Sequence, residues 1–151
     1  MNQFVALQHK TNIMKFSPLL FLCFFLNFVS PVSVSAQAYK FKASSYSILE
    51  KDTKGKWGKW SDFKESTVVI TLDGNKNRVI VASQEIQLFK ILAYGQKIET
   101  EFDETITLDC EDNGGGACTI QIVTRKNQGN RKQFYINYAD VKFVYNIYVS
   151  N

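Results

Sequence analysis

The chain has 151 residues, with 18 basic against 14 acidic side chains, one histidine, three cysteines and two prolines. That length suits one domain with a modest core, and a formal charge of +4 is too small for a general polyanion binder, which argues against nucleic acid as a partner. Three cysteines and a single histidine leave little material for thiol, imidazole or zinc chemistry.

Taken in chain order, the first stretch does not read like the rest. Lys15 is followed by "FSPLLFLCFFLNFV", an apolar run from Phe16 to Val29, and then by "SPVSVSAQA". A charged start, a short apolar middle and an A-x-A-like end read as a secretory signal peptide. The run is shorter than the roughly 20 residues a spanning helix needs, so no permanent membrane span is expected. Cleavage is expected after Ala36, with Ala38 as the alternative, and Met14 reads as the start a signal needs. Cys23 sits inside the apolar run behind Leu22, not after a small residue at its end, so lipidation is not expected. Residues 1–36 are therefore read as an N-terminal extension and signal peptide, and 37–151 as a single domain exported to the periplasm or the extracellular space. Removing the extension takes away Lys10 and Lys15 and leaves 16 basic against 14 acidic residues, a balance of +2.

Period-two alternation dominates the exported portion. "YKFKASSYSILE" reads as a first, less regular strand. "STVVITL" puts Val68, Ile70 and Leu72 on one face, "DGNKN" is a turn, and "RVIVAS" puts Val79 and Val81 on one face. "EIQLFKILAY" is a further strand whose phase slips between Leu88 and Phe89, which predicts a bulge there. "ETITLDC" and "ACTIQIVT" flank a glycine loop. "KQFYINY" and "VKFVYNIYV" close the chain, with Phe134, Ile136 and Tyr138 and then Val141, Phe143, Tyr145, Ile147 and Val149 as alternating sets. About eight short strands joined by Asn, Asp and Gly turns specify an all-β fold. Short connections make sequence neighbours sheet neighbours, so a small up-and-down barrel is expected, with a two-sheet β-sandwich as the alternative.

"TLDCEDNGGGACTI" is the most function-like stretch. Ile106, Leu108 and Cys110 share one face, as do Cys118, Ile120 and Ile122, so the two cysteines extend opposed apolar stripes. In an exported chain that predicts a Cys110–Cys118 disulfide, stabilising by roughly 2–3 kcal/mol in the chain-entropy model. Seven intervening residues are the wrong spacing for a redox pair of the C-x-x-C kind. Asp109, Glu111, Asn113 and Gly114 mimic the start of a calcium loop, but its twelfth position, where a bidentate acid belongs, is Ile120. A solvated tip without metal is the expectation.

Without His9 the exported portion lacks the usual general base and the Ser-His and Cys-His pairs. The acids Glu99, Glu101, Asp103 and Glu104 alternate along one segment and do not face each other across a cleft as glycosidase carboxylates must. No enzyme activity and no cofactor are expected. "KDTKGKWGKWSDFK" interleaves lysines with Trp57, Trp60 and Phe63. Tryptophans beside Lys56 and Lys59 can stack on sugars while the ammonium groups meet an anion. Equally, large aromatics plug cores, and the expectation leans to core for at least one of the two. "RKNQGNRK" around Gly129 reads as a solvated hairpin tip.

Gly55-Lys56-Trp57 and Gly58-Lys59-Trp60 resemble the G-x-W motif of lipocalins, although the motif here follows an earlier strand and the other lipocalin motifs are absent. More broadly, the W-x-x-W loop, "VIVASQEIQLFKI" and the ending "QFYINYADVKFVYNI" resemble small exported all-β proteins from Bacteroidetes-type bacteria. That resemblance implies export and carries no assigned activity or site residue. The resulting expectation is an exported binding or accessory module taking a small apolar ligand, a glycan or an envelope protein. The alternative is a structural or interaction protein of the envelope with no small ligand.

Overall fold

The computed structural model describes residues 38–150; the export signal read over 1–36, Cys23 included, lies outside the described residues. Among the described residues ten strands succeed one another: β1 (Ala38–Glu50), β2 (Lys64–Glu65), β3 (Val69–Asp73), β4 (Arg78–Ala82), β5 (Ile86–Tyr94), β6 (Ile98–Glu99), β7 (Asp103–Asp112), β8 (Ala117–Arg125), β9 (Arg131–Asn137) and β10 (Val141–Val149). Eight of them form an antiparallel meander, β1-β3-β4-β5-β7-β8-β9-β10, and β10 returns to pair with β1 from Phe41↔Val149 to Glu50↔Val141. The sheet is a closed barrel, which removes the free edges that a sandwich would leave. The two-residue strands β2 and β6 lie outside the meander, on β1 and β7.

Alternation builds the interior. One register row runs Tyr46–Tyr145–Phe134–Ile122–Ile106 around the wall, and the next runs Phe143–Ile136–Ile120–Leu108. With Phe41, Ile70, Val79, Val81, Phe89 and Ile91 these residues form one contiguous core. Burying side chains of this size stabilises by about 1.5–3 kcal/mol each. The bulge lies at Leu92, between Ile91 and Ala93, and not at the expected step between Leu88 and Phe89. Phe89 and Ile91 stay in phase and inward, so the apparent slip is an apolar Leu88 on the outer face, paired with Ile80.

Two tips share one hydrogen-bonding scheme. In the loop after β1 the Asp52 carboxylate accepts from the amides of Lys54 and Lys56, and Gly55 takes φ +76°. In the β7–β8 hairpin the Asp112 carboxylate accepts from Gly114 and Gly116, and Gly115 takes φ +84°. Aspartate at the first position mimics a backbone turn, and only glycine enters the left-handed region there without strain.

A second bulge, between Ala43 and Ser45, breaks β1 in two. Before it β1 pairs with β3 through Ala38–Lys42; after it Ser45 and Tyr46 pair with β2. Residues 66–68 bridge the change, with Ser66 donating to the Ser44 carbonyl and Ala43 donating to the Val68 carbonyl.

Candidate functional site

The loop from Lys51 to Phe63 is fastened to the outer side of β1 instead of projecting from it. Lys51 bridges to Trp57, Gly58 donates to the Glu50 carbonyl and Ser61 to the Ile48 carbonyl. A β-carbon at position 58 would stand 3.2 Å from the Glu50 oxygen, so glycine allows the close approach. The buried Ser47 hydroxyl donates to the Ser61 carbonyl at 2.7 Å, and the Ile48 amide donates to the Ser61 hydroxyl at 3.1 Å.

That anchoring lays both tryptophans on the outer wall. Trp60, 41% exposed, meets Tyr135 edge-on at 6.3 Å. Trp57 is half-buried and carries two ammonium groups on its ring, Lys51 at 4.8 Å and Lys142 at 4.7 Å. The expectation that at least one tryptophan plugs the core is corrected: neither belongs to it. Their ring contacts are with Lys142 and Tyr135, which alternate with the inward Phe143, Phe134 and Ile136 and so lie on the outer face. Lys56 and Lys59 are exposed, and their ammonium groups are not the ones on Trp57. That role falls to Lys51 and to Lys142 from the distant β10.

Beside Trp57 a shallow recess of about 620 Å³ crosses the outer wall from Lys142 over Asn137 and Thr119 to Asp109 and Leu92. The four polar residues form one register row, Lys142↔Asn137↔Thr119↔Asp109, on β10, β9, β8 and β7. Adjacent strands are about 4.8 Å apart, so an ammonium, an amide, a hydroxyl and a carboxylate stand at regular intervals. The next row adds Tyr135 and Gln121, the latter accepting from the Asn137 amide at 3.3 Å. Beyond it the half-buried Arg125 ties the wall together, donating to Asp103 at 2.6 Å, to Gln133 at 3.1 Å and to Tyr135 at 3.3 Å.

The Cys110–Cys118 disulfide is also corrected. The register sets the two residues directly opposite, as expected, yet both are free thiols. Each side chain points into the core and packs as a small hydrophobe. The Cys110 sulfur turns towards the Leu108 carbonyl at 3.8 Å. Burial pushes the Cys110 thiol up to about 12 and the Cys118 thiol up to about 11, so the thiolate needed for exchange is scarce. The hairpin is held by Asp112 instead, whose carboxylate also accepts from the Tyr138 hydroxyl at 2.9 Å. The Gly116 amide first, and Tyr138 after it, lower the Asp112 pKa, while burial first and Asp112 second raise that of Tyr138. The carboxylate of the glycine loop thus serves as a turn cap.

The sequence alone does not single out Asn137, Thr119 or Lys142, and it offers Asp109 only as part of a calcium-loop mimic. The usable signal is the polar phase of the strands: once Cys110 and Cys118 are opposed, Asp109 and Thr119 must be opposed on the other face. Comparison with protein-family models, curated proteins and solved structures finds no match to the chain.

Proposed function

We propose that the chain is an exported, non-catalytic binding module that recognises a glycan in the recess beside Trp57. The observation that carries this reading is the row Lys142–Asn137–Thr119–Asp109 with an aromatic wall at its end. A polyhydroxylated ligand offers donors and acceptors in turn, and a row of ammonium, amide, hydroxyl and carboxylate can meet both. Neighbouring Trp60 and Tyr135 supply apolar faces for the sugar ring. The signal-peptide-like pattern of residues 15–36 supports the reading, since glycans are abundant outside the cytoplasm.

The test is calorimetric titration of the protein with cellotriose, chitotriose and trigalacturonate. One of the three is expected to bind, and Asn137→Ala with Asp109→Ala is expected to weaken it at least tenfold without moving the unfolding midpoint. No binding of any at millimolar concentration, or binding indifferent to the double substitution, would overturn the proposal.

A second reading, an interaction protein of the envelope, draws on an outer patch that runs from β10 through β1, β3 and β4 to β5. There Tyr148 on β10 and Ile86 and Leu88 on β5 are exposed on the outer rows, beside Lys42 and Lys90. Loss of envelope association on Ile86→Ser with Leu88→Ser, with glycan binding absent, would favour it.

A further inference from the structure

Where β1 changes partner, an open cleft of about 610 Å³ enters the barrel wall. That size lies within the range of small-molecule sites. Its floor is the cross-strand pair Tyr46↔Tyr145, with ring centroids 6.2 Å apart and planes inclined by 31°. Its rim is Ser66, Thr67, Ser83 and Gln84, and Glu65 is the one charged residue among those lining it.

Tyr145 is the informative group. Its side chain is 7% exposed and belongs to the core. Buried tyrosine hydroxyls ordinarily find a partner, yet this one hydrogen-bonds to no other described residue. No side-chain oxygen or nitrogen among the described residues is both fully enclosed and unpaired, so the hydroxyl opens into the cleft. Burial raises its pKa, and the nearby Tyr46 adds to the rise, which keeps the phenol protonated at any physiological pH and able to donate.

We infer that this cleft is a second binding site, independent of the glycan recess, for a small uncharged molecule with a compact apolar ring and an oxygen acceptor. The two tyrosine rings, side by side on the floor, offer an apolar surface for the ring of the ligand, and the Tyr145 hydroxyl donates to its oxygen. The carboxylate of Glu65 at the rim, with no basic residue lining the cleft, disfavours anions. The segment before β3, Ser66–Val68, and the β4–β5 turn, with Ser83 and Gln84, line the opening through which a ligand enters.

The test uses cyclohexanone as the neutral probe and benzoate as its charged counterpart, with amide shifts of the full protein followed by nuclear magnetic resonance. Cyclohexanone is expected to saturate shifts at Ser66, Thr67, Ser83 and Gln84. Tyr145→Phe, which keeps the ring, should weaken it about three- to tenfold, the range one neutral hydrogen bond spans. Benzoate should bind at least tenfold more weakly. Thr67→Trp fills the cleft from its exposed rim and should abolish the shifts while leaving the fold intact, which covers the case in which a Tyr145 variant folds poorly. Shifts scattered outside the cleft, equal affinity of wild type and Tyr145→Phe, equal affinity for benzoate, or no saturation up to the solubility of cyclohexanone would each overturn the inference.

Discussion

The cleft and the recess both pair aromatic rings with polar rims, but their aromatics are held by different means. Tyr46 and Tyr145 are strand residues, opposed by the register of β1 and β10 and continuous with the core. Trp57 and Trp60 are loop residues, placed by the Ser47–Ser61 clasp, the Asp52 turn and two ammonium groups. In the first case the site is a defect in the packing of the barrel. In the second it is an addition to its outside. The same residue class is part of the core in one place and mounted on the surface in the other, and substitution separates the two.

The largest difference is expected between Tyr145→Ala and Trp60→Ala. Emptying a buried aromatic position costs roughly 3–5 kcal/mol, whereas removing a half-exposed ring that makes one edge contact should cost less than about 1 kcal/mol beyond its own burial. Urea unfolding of both variants beside the wild type measures this. Similar losses in the two would erase the distinction between a core aromatic and a mounted one.

Next in size is the clasp. Ser47 is fully buried and its hydroxyl donates to the Ser61 carbonyl, so Ser47→Ala leaves a lone acceptor beneath the loop, at a cost of about 1–3 kcal/mol. Faster amide exchange is expected across residues 58–63, with the cleft amides of 66–68 unaffected. Acceleration spreading equally over both would mean that loop and cleft are one cooperative unit.

The effect that vanishes at neutral pH is a pH dependence. The Cys110 and Cys118 thiols and the Tyr138 and Tyr145 phenols all have folded-state pKa values raised chiefly by burial. Their stabilisation is complete below the unfolded-state thiol value, near pH 9, and drains away as pH rises from there towards 11 and 12. The unfolding midpoint should therefore be flat from neutrality to about pH 8 and decline above about pH 9. A thiol-specific reagent at about pH 8 should label neither thiol until the protein unfolds, and both afterwards. Rapid labelling of the native protein would contradict the inward packing of the pair.

Much of the barrel was legible in the alternation of apolar residues. Which faces of β3, β4, β7, β8, β9 and β10 turn inward follows from the period of two, because successive side chains of a strand must point to opposite sides. The turns at Asp73–Asn77 and Asp112–Gly116 were equally readable, since aspartate and glycine solve a local conformational problem with local atoms. Those are near-neighbour effects, and a linear sequence displays near neighbours. The meeting of β10 with β1 is of another kind: it joins residues some hundred positions apart, and alternation alone fits a sandwich as well. The cleft exists because β1 runs past the end of β3 and takes β2 as its next partner, which depends on how far each strand extends in three dimensions. Lys142 reaches Trp57 only after β10 has folded beside β1, so the sequence pointed to the neighbouring Lys56 and Lys59 instead. The cysteines show the limit most plainly. Their opposition was dictated by register, but whether they bond or pack depends on where the two sulfurs point inside a core assembled from every strand of the barrel.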